Sequence, residues 1–366
     1  GGYAFGTRTA GVLLFDPNFK YLGKVDQETN GLIANQIYHI ASDKDGAIWA
    51  GTGNGIARID VSSEVSFWDK DSGLDGTIYF LKRFNDNLFI NTSVSSFVLK
   101  DGKITRIPNA PEAQAWHLME FKNPDKEGDN RLFLSTSSIY ELTPDNAKVA
   151  LPTPYPNKVV FKMLQDPQNP YRIWLATSRG VGSILWQNEK WTVEPLISGL
   201  EENCRSIEKD ANGNLWVGTY RNGLFKLSPK GNAERDFKVT AYTEADGLPS
   251  MANVLIYPIT GELVIGTSKG ACQYNSKTNR LEPYKLLGEE FYNGSRDVYL
   301  MQEDVKGNIW LAGEFSAKSH ALVAERQVSG EVEINTQPFK KVPPMGVEAL
   351  LAEPDGTAWL GGSEGL

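Results

Sequence analysis

Short runs of alternating apolar and polar residues fill this chain of 366 residues from end to end. One stretch shows the unit well: Cys204-Arg205-Ser206-Ile207-Glu208, then Asp210-Ala211-Asn212-Gly213-Asn214, then Leu215-Trp216-Val217-Gly218-Thr219, then a polar tip at Tyr220-Arg221-Asn222, then Gly223-Leu224-Phe225-Lys226-Leu227. Alternation with a period of two marks half-buried strands, and Asn-Gly or Asp-Gly between runs supplies the positive φ that a hairpin needs. The same turn signal recurs at Asp45-Gly46, Lys306-Gly307-Asn308 and Asp355-Gly356, each time just before a Trp. A further strand follows, as in Val65-Ser66-Phe67-Trp68 or Phe237-Lys238-Val239-Thr240. Each period therefore predicts four antiparallel strands, A to D in chain order. Turns this frequent leave no length for the helices of a helical solenoid.

The B strand carries Trp-x-Gly-Thr or a decayed form of it: Phe5-Gly6-Thr7, Trp49-Ala50-Gly51-Thr52, Phe89 to Thr92, Phe133 to Thr136, Trp174 to Thr177, Trp216 to Thr219, Val264 to Thr267, Trp310 to Gly313 and Trp359 to Gly362. Successive copies lie about 40 to 49 residues apart, the spacing of propeller blades. The predicted fold is all-β, a β-propeller of four-stranded antiparallel blades. Strand A lines the channel, the Trp of strand B wedges between blades, and the Gly or Ala after it lets neighbouring backbones approach. Full sets run over 37–70, 78–107, 116–150, 159–193, 204–240, 252–284 and 297–338, giving seven blades, with partial blades at 3–25 and 346–366. The reading is one array over 1–366, forming a seven- or eight-bladed ring, in which 346–366 either closes the ring or starts a further propeller.

Composition narrows the partners more than the fold. The formal net charge is -8, and no run of Lys or Arg exceeds a pair such as Lys340-Lys341, so nucleic acid is not an expected partner. The longest apolar stretches, such as Ala10 to Phe15, are too short to span a bilayer, and neither end reads as a signal peptide. Cys204 and Cys272 stand in different repeats within apolar strand patterns, which predicts two buried free thiols.

Several motifs reduce to structure. Asp43-Lys44-Asp45-Gly46 starts like a calcium loop but lacks the distal Glu, so a hairpin turn explains it. His39 and His117 occupy similar strand A positions and could both face the channel, while His320 lies elsewhere. The spacing offers no Ser-His-Asp or Cys-His arrangement, and neither a cofactor nor a metal is expected.

The starts Asn30-Gly31-Leu32, Ser72-Gly73-Leu74, Ser198-Gly199-Leu200 and Asp246-Gly247-Leu248, the Asp-x-x-Gly-x-Leu/Ile-Trp turn and Trp-x-Gly-Thr together resemble the two-component regulator propeller family. The likeness is strong around Trp49, Trp216, Trp310 and Trp359, and weak between about 75 and 175, where Phe89 and Phe133 replace Trp. It implies a periplasmic or extracellular sensor region of a bacterial hybrid histidine kinase or related signalling protein. It further implies a glycan or other small ligand, a C-terminal output domain that this sequence does not contain, and tandem propellers or homodimers. The expected function is therefore non-catalytic ligand sensing. The alternatives are a protein-interaction scaffold in envelope assembly or secretion and, more remotely, a propeller hydrolase or lyase.

Candidate ligand contacts come from the B-to-C tips, where repeats stop resembling one another: Arg8, Asn54, Ser93, Ser137, Arg179, Tyr220 with Arg221, Lys269, Phe315 with Lys318, and Glu364. Cations in this slot on an acidic chain predict an anionic group on the ligand, which Arg can grip in bidentate fashion. Aromatics before or at strand A, Trp116, Tyr155, Phe291 and Tyr292, offer stacking faces for sugar rings. The predicted set is Arg8, Asn54, Trp116, Arg179, Tyr220, Arg221, Lys269 and Tyr292.

Overall fold

The computed structural model describes residues 2–44, 46–60, 65–151, 154–231, 235–316, 319–339, 342 and 345–366; of 29, 30, 314–316, 319 and 320 it describes the backbone alone. Asp45, Lys318, Lys340 and Lys341, and the side chains of Phe315 and His320, thus lie outside the described residues. The fold is all-β, built of antiparallel meanders, and the chain divides into two compact units, Gly1–Ser66 and Phe67–Leu366. Among the described residues no helix is long and apolar enough to cross a membrane.

The first unit holds two three-stranded sheets: Tyr3–Gly6, Val12–Phe15 and Tyr21–Val25, then Ile37–Ser42, Ile48–Thr52 and Gly55–Ile59. Val12, Leu32, Ile37, Ile48, Ala50 and Ile59 form its core. Trp49 is 43 % exposed here, and its Nε1 donates to Asp43 Oδ2 at 3.0 Å. Asp43 Oδ1 also accepts the Ala47 N–H at 3.0 Å, so this carboxylate serves its own hairpin, as expected of the calcium-like motif.

The second unit contains six four-stranded sheets, spanning 78–106, 117–151, 160–194, 204–242, 255–283 and 300–335, and a two-stranded sheet over 347–362. Each sheet begins with its innermost strand. Successive inner strands are neighbours, and the last, Val347–Ala352, lies beside both Leu300–Glu303 and Ile78–Phe84, so the circuit closes. Seven apolar clusters sit one between each adjacent pair of sheets around this circuit. A flat sheet with two apolar faces has no stable form alone; burying each Leu, Ile or Phe against the neighbouring sheet contributes about 1.5–3 kcal/mol.

The closure corrects one strand assignment. The sequence reading gives Val65 to Trp68 to the set 37–70 as its fourth strand. In the structure Trp68 exchanges backbone hydrogen bonds with Leu366, N–H to O distances 2.9 and 2.8 Å, and its ring lies 5.5 Å from that of Trp359. Both residues belong to the second unit, where Leu366 is buried with Ile78 and Leu81. The segment 346–366 is thus completed by chain from the opposite end of its own unit.

The recurring tetrapeptide resolves into three separate jobs. Trp174 and Trp216 are almost fully buried between adjacent sheets, and their Nε1 groups donate to Asp166 and Asp210 at 2.8 Å each. Trp310 does the same with Asp304 at 2.9 Å. The Gly of the motif permits close approach: a Cβ on Gly218 would stand 2.1 Å from the Val254 carbonyl oxygen of the next sheet. The Thr locks the B-to-C turn. Thr177 Oγ1 donates to the Gly180 carbonyl at 2.8 Å and accepts the Arg179 N–H at 3.2 Å, and Thr267 repeats this with Gly270 and Lys269 at 2.8 and 3.2 Å.

Cys204 and Cys272 are free and buried, as expected, and burial pushes the Cys204 thiol up to about 12.

Candidate ligand site

The site arises where each inner strand of the second unit begins. Val160, Val254 and Val298 are buried at these starts and donate their backbone N–H groups to Thr136, Thr219 and Thr267 of the preceding sheet, at 2.8, 3.0 and 2.9 Å. This fixes the height at which these three strands enter. Because side chains alternate along a strand, the residue after the buried one turns the other way, toward the centre of the circuit. Tyr79, Phe161, Arg205, Leu255 and Tyr299 occupy that position. Together with Trp116 and Tyr220 they line a cavity of about 620 Å³, whose wall also includes Asp297 and Glu348.

Arg205 sits among three rings. Its guanidinium carbon lies 3.7 Å from the Phe161 ring centre, 5.0 Å from Tyr220 and 5.1 Å from Trp116. Trp116 meets Phe161 edge-on at 4.8 Å and Tyr79 in a tilted contact at 6.2 Å. The Tyr220 ring is held there because its backbone N–H donates to the Asn203 carbonyl at 2.9 Å, two residues before Arg205. Arg205 Nε donates to Asn203 Oδ1 at 2.9 Å, and the residue lines the cavity. Among the described ion pairs none includes Arg205. Burial lowers its pKa from the ordinary value, with Tyr220 acting in the opposite sense, but a guanidinium so far above neutrality stays charged.

The predicted site residues separate. Trp116 and Tyr220 meet at the cavity, and exposed Arg221 stacks on Tyr220 with its guanidinium carbon 5.1 Å from the ring centre. Arg179 is exposed and pairs with Glu201 at 3.1 Å, and Lys269 is exposed at its turn tip. Tyr292 is half-buried, its backbone N–H on the Glu289 carbonyl at 3.1 Å. Neither Arg179, Lys269 nor Tyr292 lines the cavity. Arg8 and Asn54 are exposed tips of the first unit, and the Asn54 N–H bonds Thr52 Oγ1 at 3.2 Å. Sequence reasoning missed Tyr79, Phe161, Arg205 and Tyr299. Their signal was available: each follows the first buried apolar residue of a strand A.

His39 is exposed in the first unit. His117 is half-buried on the inner strand His117–Phe121, edge-on to Phe80 at 4.6 Å, and its Nδ1 accepts the Met163 N–H at 3.4 Å. Burial, with Lys162 and Lys82 adding to it, holds its pKa well below the ordinary histidine value, so the imidazole is neutral. Among the described residues no group of three or more His, Cys, Asp or Glu side chains could hold a metal ion.

Comparisons fit this geometry. The model of the two-component regulator propeller matches residues 31–54 and 198–221. The extracellular domain of a protein described as the hybrid two component system BT3049 of B. thetaiotaomicron superposes with a TM-score of 0.75 at 20% identity, over 100% of this chain and 49% of that one. That of BT4673 from the same organism gives 0.61 at 16% identity, over 100% and 50%. This chain thus spans about half the length of these structures. A catalytically inactive virginiamycin B lyase from Staphylococcus aureus, solved with quinupristin, gives 0.56 at 14% identity over 79% of this chain and 92% of that one. At such identities the likeness is one of fold. No curated protein matches the chain. With the turn, the Trp wedge and the Thr lock in place, the stretches 31–54 and 198–221 are similar to two-component regulator propeller repeats.

Proposed function

We propose that the second unit is a non-catalytic ligand-sensing module, working outside the cytoplasm, which binds a small ring-bearing molecule with an anionic group. The observation that carries this reading is Arg205, a cation held against Phe161, Trp116 and Tyr220 without a described carboxylate partner, on the wall of the cavity. Aromatic faces bind apolar ring faces such as those of sugars, while a guanidinium in fixed orientation offers two parallel N–H donors to a carboxylate or sulfate. The ligand class this fits is an acidic sugar or short acidic oligosaccharide. Asp297 and Glu348 on the same wall are hydrogen-bond acceptors for its hydroxyl groups.

The reading centres on Arg205, with Arg221 beside it on Tyr220 and Arg179 and Lys269 at exposed turn tips outside the cavity wall. The extracellular setting is supported by the similarly folded domains of the two Bacteroides systems. The lyase likeness carries no activity over, since it rests on the fold. A closed circuit of sheets is stiff, so ligand occupancy reaches an output by rigid-body rearrangement of the unit.

Calorimetric titration of the whole chain against glucuronate-containing disaccharides and their neutral glucose counterparts tests the reading. The acidic sugar binds more tightly, Arg205→Met removes the difference, and Arg205→Lys retains part of it. Equal affinity for acidic and neutral sugars, or an Arg205→Met variant that binds as wild type, rejects it.

A further inference from the structure

The inner strand Cys204–Lys209 carries Arg205 near one end and Lys209 at the other, about 13 Å away. At the Lys209 end, a groove of about 450 Å³ opens between the fourth and fifth sheets. Its walls come from the turns at 209–212 and 261–263, from Pro258, and from the outer strands through Lys226, Gln273 and Tyr274. The buried ring of Trp216 lies at its base.

Lys226 is the unusual element. Its ammonium stands 4.3 Å from the Tyr274 ring centre and 5.1 Å from that of Trp216, and 3.3 Å from Tyr274 Oη. The rings are themselves fixed: Trp216 Nε1 donates to Asp210 at 2.8 Å, and the Tyr274 and Tyr242 hydroxyls both donate to Asn279 Oδ1 at 2.8 Å. No described carboxylate lies within ion-pair distance of Lys226.

The repeat does not require this cation. Lys226 is the cross-strand partner of Trp216, and the corresponding partners of Trp174 and Trp310 are Ser183 and Val323. Where a cation does recur, at Arg58 opposite Trp49, it pairs with the turn carboxylate of Asp43 at 3.2 Å. In the fourth sheet the equivalent Asp210 is taken up by Trp216 Nε1 and Asn214, and Lys226 turns its charge to the groove instead. An ammonium on two aromatic faces keeps its remaining donors directed outward.

We propose that this groove is a second ligand site, for a small amphiphilic carboxylate. The carboxylate meets Lys226 Nζ, with Gln273 as a neighbouring amide donor, and the apolar body lies on Pro258 and Leu263. The site is independent of the Arg205 cavity and would stand if that cavity bound nothing.

The test titrates the whole chain with phenylacetate, and with phenylacetamide as the uncharged match, following backbone and indole NMR shifts. Phenylacetate moves the Trp216 indole and the amides of 209–212 and 261–263 and saturates, with phenylacetamide at least tenfold weaker. Lys226→Met loses that tenfold preference, Lys226→Arg keeps it, and Arg205→Met leaves it intact. Absence of saturable shifts in the wild type, equal binding of the two compounds, or an unchanged preference in Lys226→Met overturns the proposal. Loss of the shifts in Arg205→Met with retention in Lys226→Met also overturns it, by moving the binding to the cavity.

Discussion

Lys209 Nζ lies 2.8 and 2.7 Å from the two carboxylate oxygens of Asp166, tying the inner strand of the fourth sheet to the end of the third. Asp166 is almost fully buried and also accepts the Trp174 Nε1–H and the Gln168 N–H at 2.8 Å each. Burial opposes ionisation, yet Lys209 and these donors outweigh it and hold the carboxyl below its ordinary value. Removing the cation alone leaves a buried charge uncompensated, which costs about 3 kcal/mol. Urea unfolding is expected to show that loss in Lys209→Met and a partial recovery in Lys209→Met with Asp166→Asn. The linkage sign follows from the lowered folded value: the Asp166 contribution is complete above the usual carboxylate range and disappears as pH falls through the folded value. Wild type should therefore lose stability on acidification more steeply than the double variant.

Asp210 organises a different joint. Its Oδ1 accepts the N–H groups of Asn212 and Asn214 at 2.9 Å each, and its Oδ2 accepts the Trp216 indole and the Asn214 amide at 2.8 Å each. Asp210→Ala strands a buried indole N–H and frees the turn, an expected loss of about 2 kcal/mol, whereas Asp210→Asn keeps most of the bonds. Thermal or urea melts of the two variants measure this. Equal stability of Ala and Asn would reduce the carboxylate to a surface residue.

The Trp216 environment also shows how far the sequence carries. The alternation in Leu215-Trp216-Val217-Gly218-Thr219 states which faces are apolar, and the turn before it states where the hairpin reverses, so sheet order was legible. Alternation does not state a partner. Val65-Ser66-Phe67-Trp68 has a strand pattern whichever sheet it joins, and its hydrogen bonds to Leu366 are set by circuit closure some 300 residues away in sequence. The cavity failed for a related reason. In Cys204-Arg205 the polar residue faces away from the core, and a period of two cannot distinguish a central cavity from open solvent. Arg179 and Lys269 stand at turn tips where the repeats differ in sequence, but the Thr177 and Thr267 locks hold only their backbones, and their side chains stay exposed.

His117 provides a pH-dependent element in the second unit. Its neutral Nδ1 accepts the Met163 N–H, and protonation would replace that acceptor with a donor facing a donor. Because its folded pKa is lowered well below the ordinary value, the unfolded chain binds a proton there that the folded chain does not. Stability contributed by this site is present above the unfolded histidine value of about 6.5 and declines as pH falls below it. Unfolding free energies measured from pH 7.5 down to 5 should decline in wild type and be flatter in His117→Gln. Parallel profiles would show that His117 does not couple to folding.

Gly218 tests the packing of one sheet on the next. A Cβ there would meet the Val254 carbonyl oxygen at 2.1 Å, a contact with backbone that no rotamer change relieves. That carbonyl belongs to the residue whose N–H bonds the Thr219 carbonyl at 3.0 Å, so moving it strains the entry of the inner strand Leu255–Ile259. The corresponding residue in the third sheet is Ala176, fully buried, which shows that the position itself accepts a methyl. Overpacking at Gly218→Ala should therefore cost about 1–3 kcal/mol in urea unfolding. Gly218→Val should cost more, while Ala176→Gly loses only about 0.5–1 kcal/mol through strand propensity. A Gly218→Ala variant as stable as wild type would mean that the two sheets are not held at this separation by their backbones.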